Sequence, residues 1–311
     1  MNKQNHLQLL AEKSSLERML SATPEEDVLD RGSLLARLEE VAHKIEATMQ
    51  DKYQPARAKL TFNGRPVIGT HGIFADFGMK AVNSFTEAVA AVAASLTAPL
   101  ASMGPIPNRN QNQMLITNTA LGSFGFELEE YVEGRLQLDE QTAVALALEK
   151  TLNLLQGSVE QDDELLADSA AELGPRVLDK VRAFVKTLAE NEAICALQIQ
   201  AKAFRFNDIG QVRRSLERIS QDNLREEDKI LIGNFEGALP TRRTFEFKLR
   251  DSGEVITGKI SSAVSNPEKI NAHLYQQLNI QVMETRVGHN GRPRYLLLET
   301  PQWSPANESH S

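Results

Sequence analysis

The 311-residue chain has one cysteine, one tryptophan and only 5% aromatic residues. A single cysteine excludes an intrachain disulfide and any cysteine-built zinc cluster. Cys195 stands beside Ile194, Ala196 and Leu197, an apolar setting that predicts a buried, inert thiol. Histidine is sparse too. The six (His6, His43, His71, His273, His289 and His310) are nowhere at metal-ligand spacing, so neither a metal nor a cofactor is expected.

A long apolar run is also missing. Residues 88–107 carry no charge, but they are rich in alanine, include Ser95, Thr97 and Ser102, and are interrupted by Pro99. That composition falls short of a membrane span and predicts a buried helix. The first residues offer no apolar signal region, so a cytoplasmic protein without a membrane partner is expected. Positive charge is not in excess either. With 34 basic against 42 acidic residues the net charge is −8, which excludes a polyelectrolyte binder of nucleic acid and makes any basic site local.

The most motif-like stretch is LITNTALGSFGFELEEY, residues 115–131. It lacks the lysine and the spacing of a phosphate loop, and Gly122-Ser123-Phe124-Gly125 is not a nucleophile elbow. Phe124, Phe126 and Leu128 alternate with Gly125, Glu127 and Glu129, which predicts a β-hairpin whose glycines serve the backbone. The neighbouring pairs Glu129-Glu130 and Glu226-Glu227 read as solvated faces. An acid-base role can be considered only for His71 at a strand end, with Asp76 five residues on. A satisfied structural histidine is the commoner outcome.

Along the chain, residues 4–22 and 24–50 have helical apolar spacing. Thr23-Pro24-Glu25-Glu26 between them supplies a capping threonine, a proline at the first helical position and a glutamate at the third. This predicts a helical hairpin over residues 1–52. Two helices bury too little to be stable alone, so a homo-oligomer is expected. Residues 53–227 read as a mixed α/β domain. It begins with a hairpin of strands 58–62 and 67–74, followed by a helix capped by Asp76. Helices near 139–157, 162–171, 175–189 and 208–221 and a β segment across 194–206 complete it.

Residues 228–303 show the order β-β-β-α-β-β, with strands at 229–237, 244–250, 254–261, 280–287 and 294–300 and a helix over 267–278 capped by Asn266. An OB-like barrel requires this order, although small SH3-like barrels share much of it. Residues 304–311 read as a disordered tail. The fold class is therefore α+β: helical hairpin, mixed α/β middle domain and C-terminal small β-barrel.

Residues 228–300 hold ten basic against eight acidic side chains, whereas residues 1–227 are acidic. In an OB barrel the loops after the first and fourth strands border the ligand face. Here they carry Arg242 and Arg243, and His289, Arg292 and Arg294, with Lys248 on the second strand. Two basic loops at one mouth would grip phosphates. Phe245 and Phe247 alternate with polar residues and are expected in the core, so the aromatic platforms of single-strand binders are lacking. Nucleic acid and protein remain equal candidates as the partner.

Three segments, Phe62-Asn-Gly-Arg-Pro-Val-Ile-Gly69, Gly122-Ser-Phe-Gly-Phe-Glu-Leu128 and Phe245-Glu-Phe247 followed by Gly253-Glu-Val-Ile-Thr-Gly-Lys259, resemble those of bacterial proteins to which no function is attached. Some of these come from mobile-element or phage-defence settings. The resemblance implies an accessory defence role and supplies no catalytic residues. The expected function is thus a non-enzymatic oligomeric interaction protein whose barrel contacts nucleic acid or protein. The alternative is an enzyme of the middle domain near His71.

Overall fold

Helix formers with a proline near the turn shape the first unit of the computed structural model, which describes residues 3–24, 27–50, 55–98, 100–101, 103–120, 123–132, 141–160, 162–288 and 291–303. The chain divides into two compact units, Met1–Pro55 with Val132–Gln141 and Ala56–Tyr131 with Thr142–Ser311. In the first, α1 (Lys3–Ala22) packs against α2 (Val28–Gln50) as a hairpin. Arg31 closes it by donating to the Thr23 carbonyl at 2.9 Å, and Arg37 of α2 pairs with Glu12 of α1 at 2.7 Å.

The expected cap needs correction. Thr23 does not start α2; its hydroxyl donates to the Met19 carbonyl at 2.8 Å and so finishes α1. The second helix begins only at Val28, and Glu25 and Glu26 lie outside the described residues.

The second unit is built on a five-stranded sheet in the order β4-β5-β1-β6-β7, every neighbour antiparallel. Its strands are β1 (Arg57–Gly64), β4 (Met114–Ala120), β5 (Phe124–Glu130), β6 (Ala193–Ile199) and β7 (Lys202–Arg205). Alternation puts Leu60, Phe62, Leu128, Cys195 and Leu197 on one face, all buried. The helices α3 (Ala75–Thr97), α4 (Ala143–Val159), α5 (Asp163–Ala171), α6 (Pro175–Glu190) and α7 (Ile209–Arg218) supply the matching apolar stripes. Phe62 meets Phe77 of α3 edge-on at 5.3 Å, and Phe85 meets Phe184 of α6 at 5.4 Å. Each such ring stabilises the fold by about 1.5–3 kcal/mol through burial.

The glycine stretch is the β4–β5 hairpin, as the alternation predicts. Leu121 and Gly122 lie outside the described residues. At Gly125 a Cβ would stand 2.2 Å from the Leu60 carbonyl oxygen, because the neighbouring strand β1, with Thr61 in register, comes close there. Only glycine fits there.

Strand alternation also corrects the reading of the glutamate pairs. Glu130 turns inward and accepts from the Thr142 hydroxyl at 2.8 Å and the Ala56 amide at 3.2 Å. Two further expectations fail at residues 67–76. Residues 67–74 do not pair with β1; β2 (Val67–Ile68) and β3 (Gly72–Ile73) fold on each other, since Gly69 takes a left-handed φ of 52° and His71 N–H returns to the Ile68 carbonyl. Nor does Asp76 cap α3. Phe74 occupies the cap position without a side-chain bond, and Asp76 lies in the first turn, where its charge suits the helix dipole.

The last five strands close into a barrel in the order β10-β12-β11-β8-β9: β8 (Leu224–Leu239), β9 (Thr244–Leu249), β10 (Val255–Ile260), β11 (Gln277–Val287) and β12 (Arg294–Leu297). The β10–β12 pair is parallel and the others are antiparallel. Phe235, Phe245 and Phe247 fill the interior, with ring centroids 5.1 and 5.8 Å apart.

The helix expected over 267–278 is a 3-10 turn, Pro267–His273, and Asn266 makes no side-chain cap. Tyr275 then takes a left-handed φ of 64°, which ends the turn before β11. The first barrel strand starts at Leu224, five residues earlier than alternation around Lys229 suggests. Leu224 pairs with Val287, and both belong to the hydrophobic core of the α/β part, while the barrel interior around Phe235, Phe245 and Phe247 forms a core of its own.

Candidate functional site

The arginines expected to bind a ligand do different jobs. Arg243 has a left-handed φ of 49°, and its guanidinium donates to the carbonyls of Ile260 at 3.1 Å, Val264 at 2.8 Å, and Ser261. It ties the start of β9 to the segment after β10, a role that suits the fixed fork of arginine. Arg294, at the start of β12, donates to Asp168 of α5 and lies 3.5 Å from Glu164. Its charge is paired with two exposed carboxylates of the same chain.

Arg242, Lys248 and Arg292 are exposed and have no side-chain partner among the described residues. His289 lies outside the described residues. His71 and Asp76 are exposed, and neither side chain has a hydrogen bond among the described residues.

The two basic loops do not share a mouth. The Pro240–Arg243 turn follows the last residue of β8, whereas the loop after β11 follows Val287, which pairs with Leu224, the first residue of β8. Antiparallel pairing therefore puts them at opposite ends of β8. What lies between them is the outer face of β8, β9 and β10. Ile230 is 70% exposed there, Ile232 38% and Val255 48%. Lys248 stands beside them in register, opposite Asn234 on one side and Val255 on the other.

A second feature is a cleft of about 670 Å³ where the barrel meets the end of α3 and the α5–α6 junction. Glu172, just after α5, accepts from Lys150 of α4 at 2.5 Å and from Lys259 of β10 at 2.9 Å. Burial alone would raise its pKa, but the hydrogen bonds from Lys150 and Lys259 outweigh that and hold it below the ordinary glutamate range. Ser262 Oγ donates to the Ser95 carbonyl at 3.1 Å and fixes the barrel side of the cleft to α3. Leu96, Leu100, Met283, Leu296 and Leu298 line it and are only half-buried.

No sequence pattern joins Lys150, Glu172 and Lys259, because they come from three separate elements. The only signal is the left-handed Gly174 before Pro175, which marks a sharp junction there.

Cys195 is buried in β6, and burial pushes its thiol well above the ordinary range. Among the described residues no cluster of histidine, cysteine and carboxylates could hold a metal, and no helix is long and apolar enough to cross a membrane. No protein-family model matches this chain, and no curated protein or solved structure matches it either.

Proposed function

We propose that this is a non-enzymatic, oligomeric interaction protein whose barrel, read as OB-like, docks a protein partner. The OB-like reading draws support from the order of the strands. Three meander strands come first, the third runs parallel to the fifth, a helical turn separates the third from the fourth, and the fourth closes on the first.

The observation that carries the choice of a protein partner is the outward trio Ile230, Ile232 and Val255, while Phe235, Phe245 and Phe247 all turn inward. These exposed aliphatic side chains, with Lys248 of β9 between β8 and Val255, suit a protein. Single-stranded nucleic acid stacks on exposed rings, of which the barrel segment offers Tyr275, 70% exposed.

Nucleic acid is the second reading, favoured by Arg242, Lys248 and Arg292, exposed cations without a side-chain partner among the described residues. Assembly through the helical hairpin rests on Met19 and Leu35, each more than half exposed on α1 and α2. A cytoplasmic location and an accessory role in bacterial defence belong to the same proposal and rest on composition and on the resemblance of the three segments. The enzyme alternative rests on His71 and Asp76, exposed side chains without a hydrogen bond among the described residues.

The test is native purification followed by particle mass and ultraviolet absorbance ratio. Paired Ile230→Asp and Val255→Asp changes should strip a protein partner from the particle, while Arg242→Ala with Arg292→Ala leaves it bound. A nucleic-acid absorbance ratio that falls only in the arginine variant would overturn the protein reading in favour of the second.

A further inference from the structure

We propose that the cleft between barrel and α/β part binds a small organic anion, with an apolar or aromatic body and a phosphate or sulfonate head that displaces Glu172 from Lys150 and Lys259. This site is separate from the docking face on β8–β10 and does not depend on it.

The cleft has the size of a ligand site, its 670 Å³ falling within the roughly 300–1,000 Å³ of binding clefts. Its lining has the two chemistries such a molecule needs. Leu96, Leu100, Met283, Leu296 and Leu298 leave apolar surface uncovered on the concave side, where a ring or chain gains from burial.

Polar groups converge at one side. Lys150 and Lys259 point their ammonium groups at the same carboxylate, and Arg242 stands on the rim with no partner among the described residues. In a protein of net charge −8 this is a local concentration of cations. The acidic residues lining it are Glu172 itself and Asp228, and Asp228 has no side-chain partner among the described residues.

Glu172 is what makes the arrangement a site as well as a tether. An ammonium has three donors, and each lysine places one on Glu172. A carboxylate held by two lysines occupies the position a phosphate or sulfonate would take, with fewer oxygens to offer. Glu172 lies between the end of α5 and the left-handed Gly174, so it belongs to a short connector and not to a helix interior. An incoming anion can exchange with it while the lysines stay where α4 and β10 hold them.

This predicts opposite signs for the two kinds of substitution. Removing a lysine or Arg242 weakens binding of an anion. Neutralising Glu172 frees two donors and tightens it. A tether with no ligand role predicts no such reversal.

The experiment uses the full chain with adenosine monophosphate and 8-anilinonaphthalene-1-sulfonate as probes and adenosine as the uncharged control. Isothermal titration gives affinity. Methionine-methyl spectra give location, because Met283 lines the cleft. At least one anion should bind with a Kd below about 1 mM and shift the Met283 methyl, while adenosine does not bind. Lys259→Met and Arg242→Ala should each weaken binding about tenfold, and Glu172→Gln should strengthen it about tenfold.

Arg242 is exposed at the rim, so its replacement tests the site even if the Lys259 variant fails to fold. Binding of neither anion would overturn the proposal. So would an unmoved Met283 methyl, or a Glu172→Gln variant that retains its thermal midpoint and binds no tighter.

Discussion

Glu226 of β8 and Thr285 of β11 stand opposite each other in register, and each has a buried side-chain oxygen without a hydrogen-bond partner among the described residues. Burial, with Asp179 adding to it and Arg182 opposing, raises the Glu226 carboxyl to about 7. Folded protein therefore holds this proton where the unfolded chain has lost it. Stability falls as pH rises from the ordinary glutamate range to about 7 and is level above that. Glu226→Gln should stabilise the protein at pH 8 by up to about 3 kcal/mol and do little at pH 4. Denaturant titrations at the two pH values check it; an equal effect at both would show that ionisation is not the cause.

Glu172 has the opposite sign. Its pKa is held down by Lys150 and Lys259, so its contribution is present above the ordinary carboxylate range and is lost as pH falls through the depressed value. The pair with Lys259 is half-exposed, which limits it to about 0.5–1 kcal/mol. Lys259→Met should lower the thermal midpoint slightly at pH 7, and less at pH 3.

Arg243→Ala should cost about 2–3 kcal/mol, since it leaves the carbonyls of Ile260, Ser261 and Val264 without their charged donor. Arg243→Lys should restore little, because an ammonium cannot span three carbonyls in the plane of a guanidinium. Arg242→Ala, one residue earlier, is the control and should leave the midpoint where it was. Thermal melts of the three variants separate these outcomes.

Gly125→Ala should destabilise the sheet by about 3 kcal/mol or more, because its Cβ would overlap the backbone of Leu60 and Thr61. Gly237→Ala in β8 meets nothing within 4 Å and should be nearly neutral. If both variants melt together, the close approach of β1 to β5 is not what keeps glycine at 125.

Cys195 should not react with an aromatic disulfide reagent in the native protein and should react at the rate of unfolding when denaturant is added. The single thiol then reports on opening of the sheet. Fast labelling without loss of structure would place β6 at an exposed edge, against its position between β1 and β7.

Local periodicity made most elements legible. Phe124, Phe126 and Leu128 announced a strand, and the β-β-β-α-β-β order a small barrel. These signals lie within a few residues of one another, where alternation and capping chemistry act. The candidate sites were less legible. Arg243 and Arg294 read as ligand-gripping cations, yet one is held by carbonyls from β10 onward and the other by α5. Glu226 read as solvated, yet one of its carboxylate oxygens is buried without a partner among the described residues.

The amino-acid order by itself determined the two helical spacings of the hairpin, the alternating strands, the lone inert cysteine and the inward phenylalanines of the barrel. Tertiary structure alone decided which charges are free, where the two basic loops stand, and that Lys150, Glu172 and Lys259 meet over a cleft. The reason is physical: periodicity depends on neighbours along the chain, whereas the fate of a charge depends on whichever backbone carbonyl or carboxylate the fold brings to it.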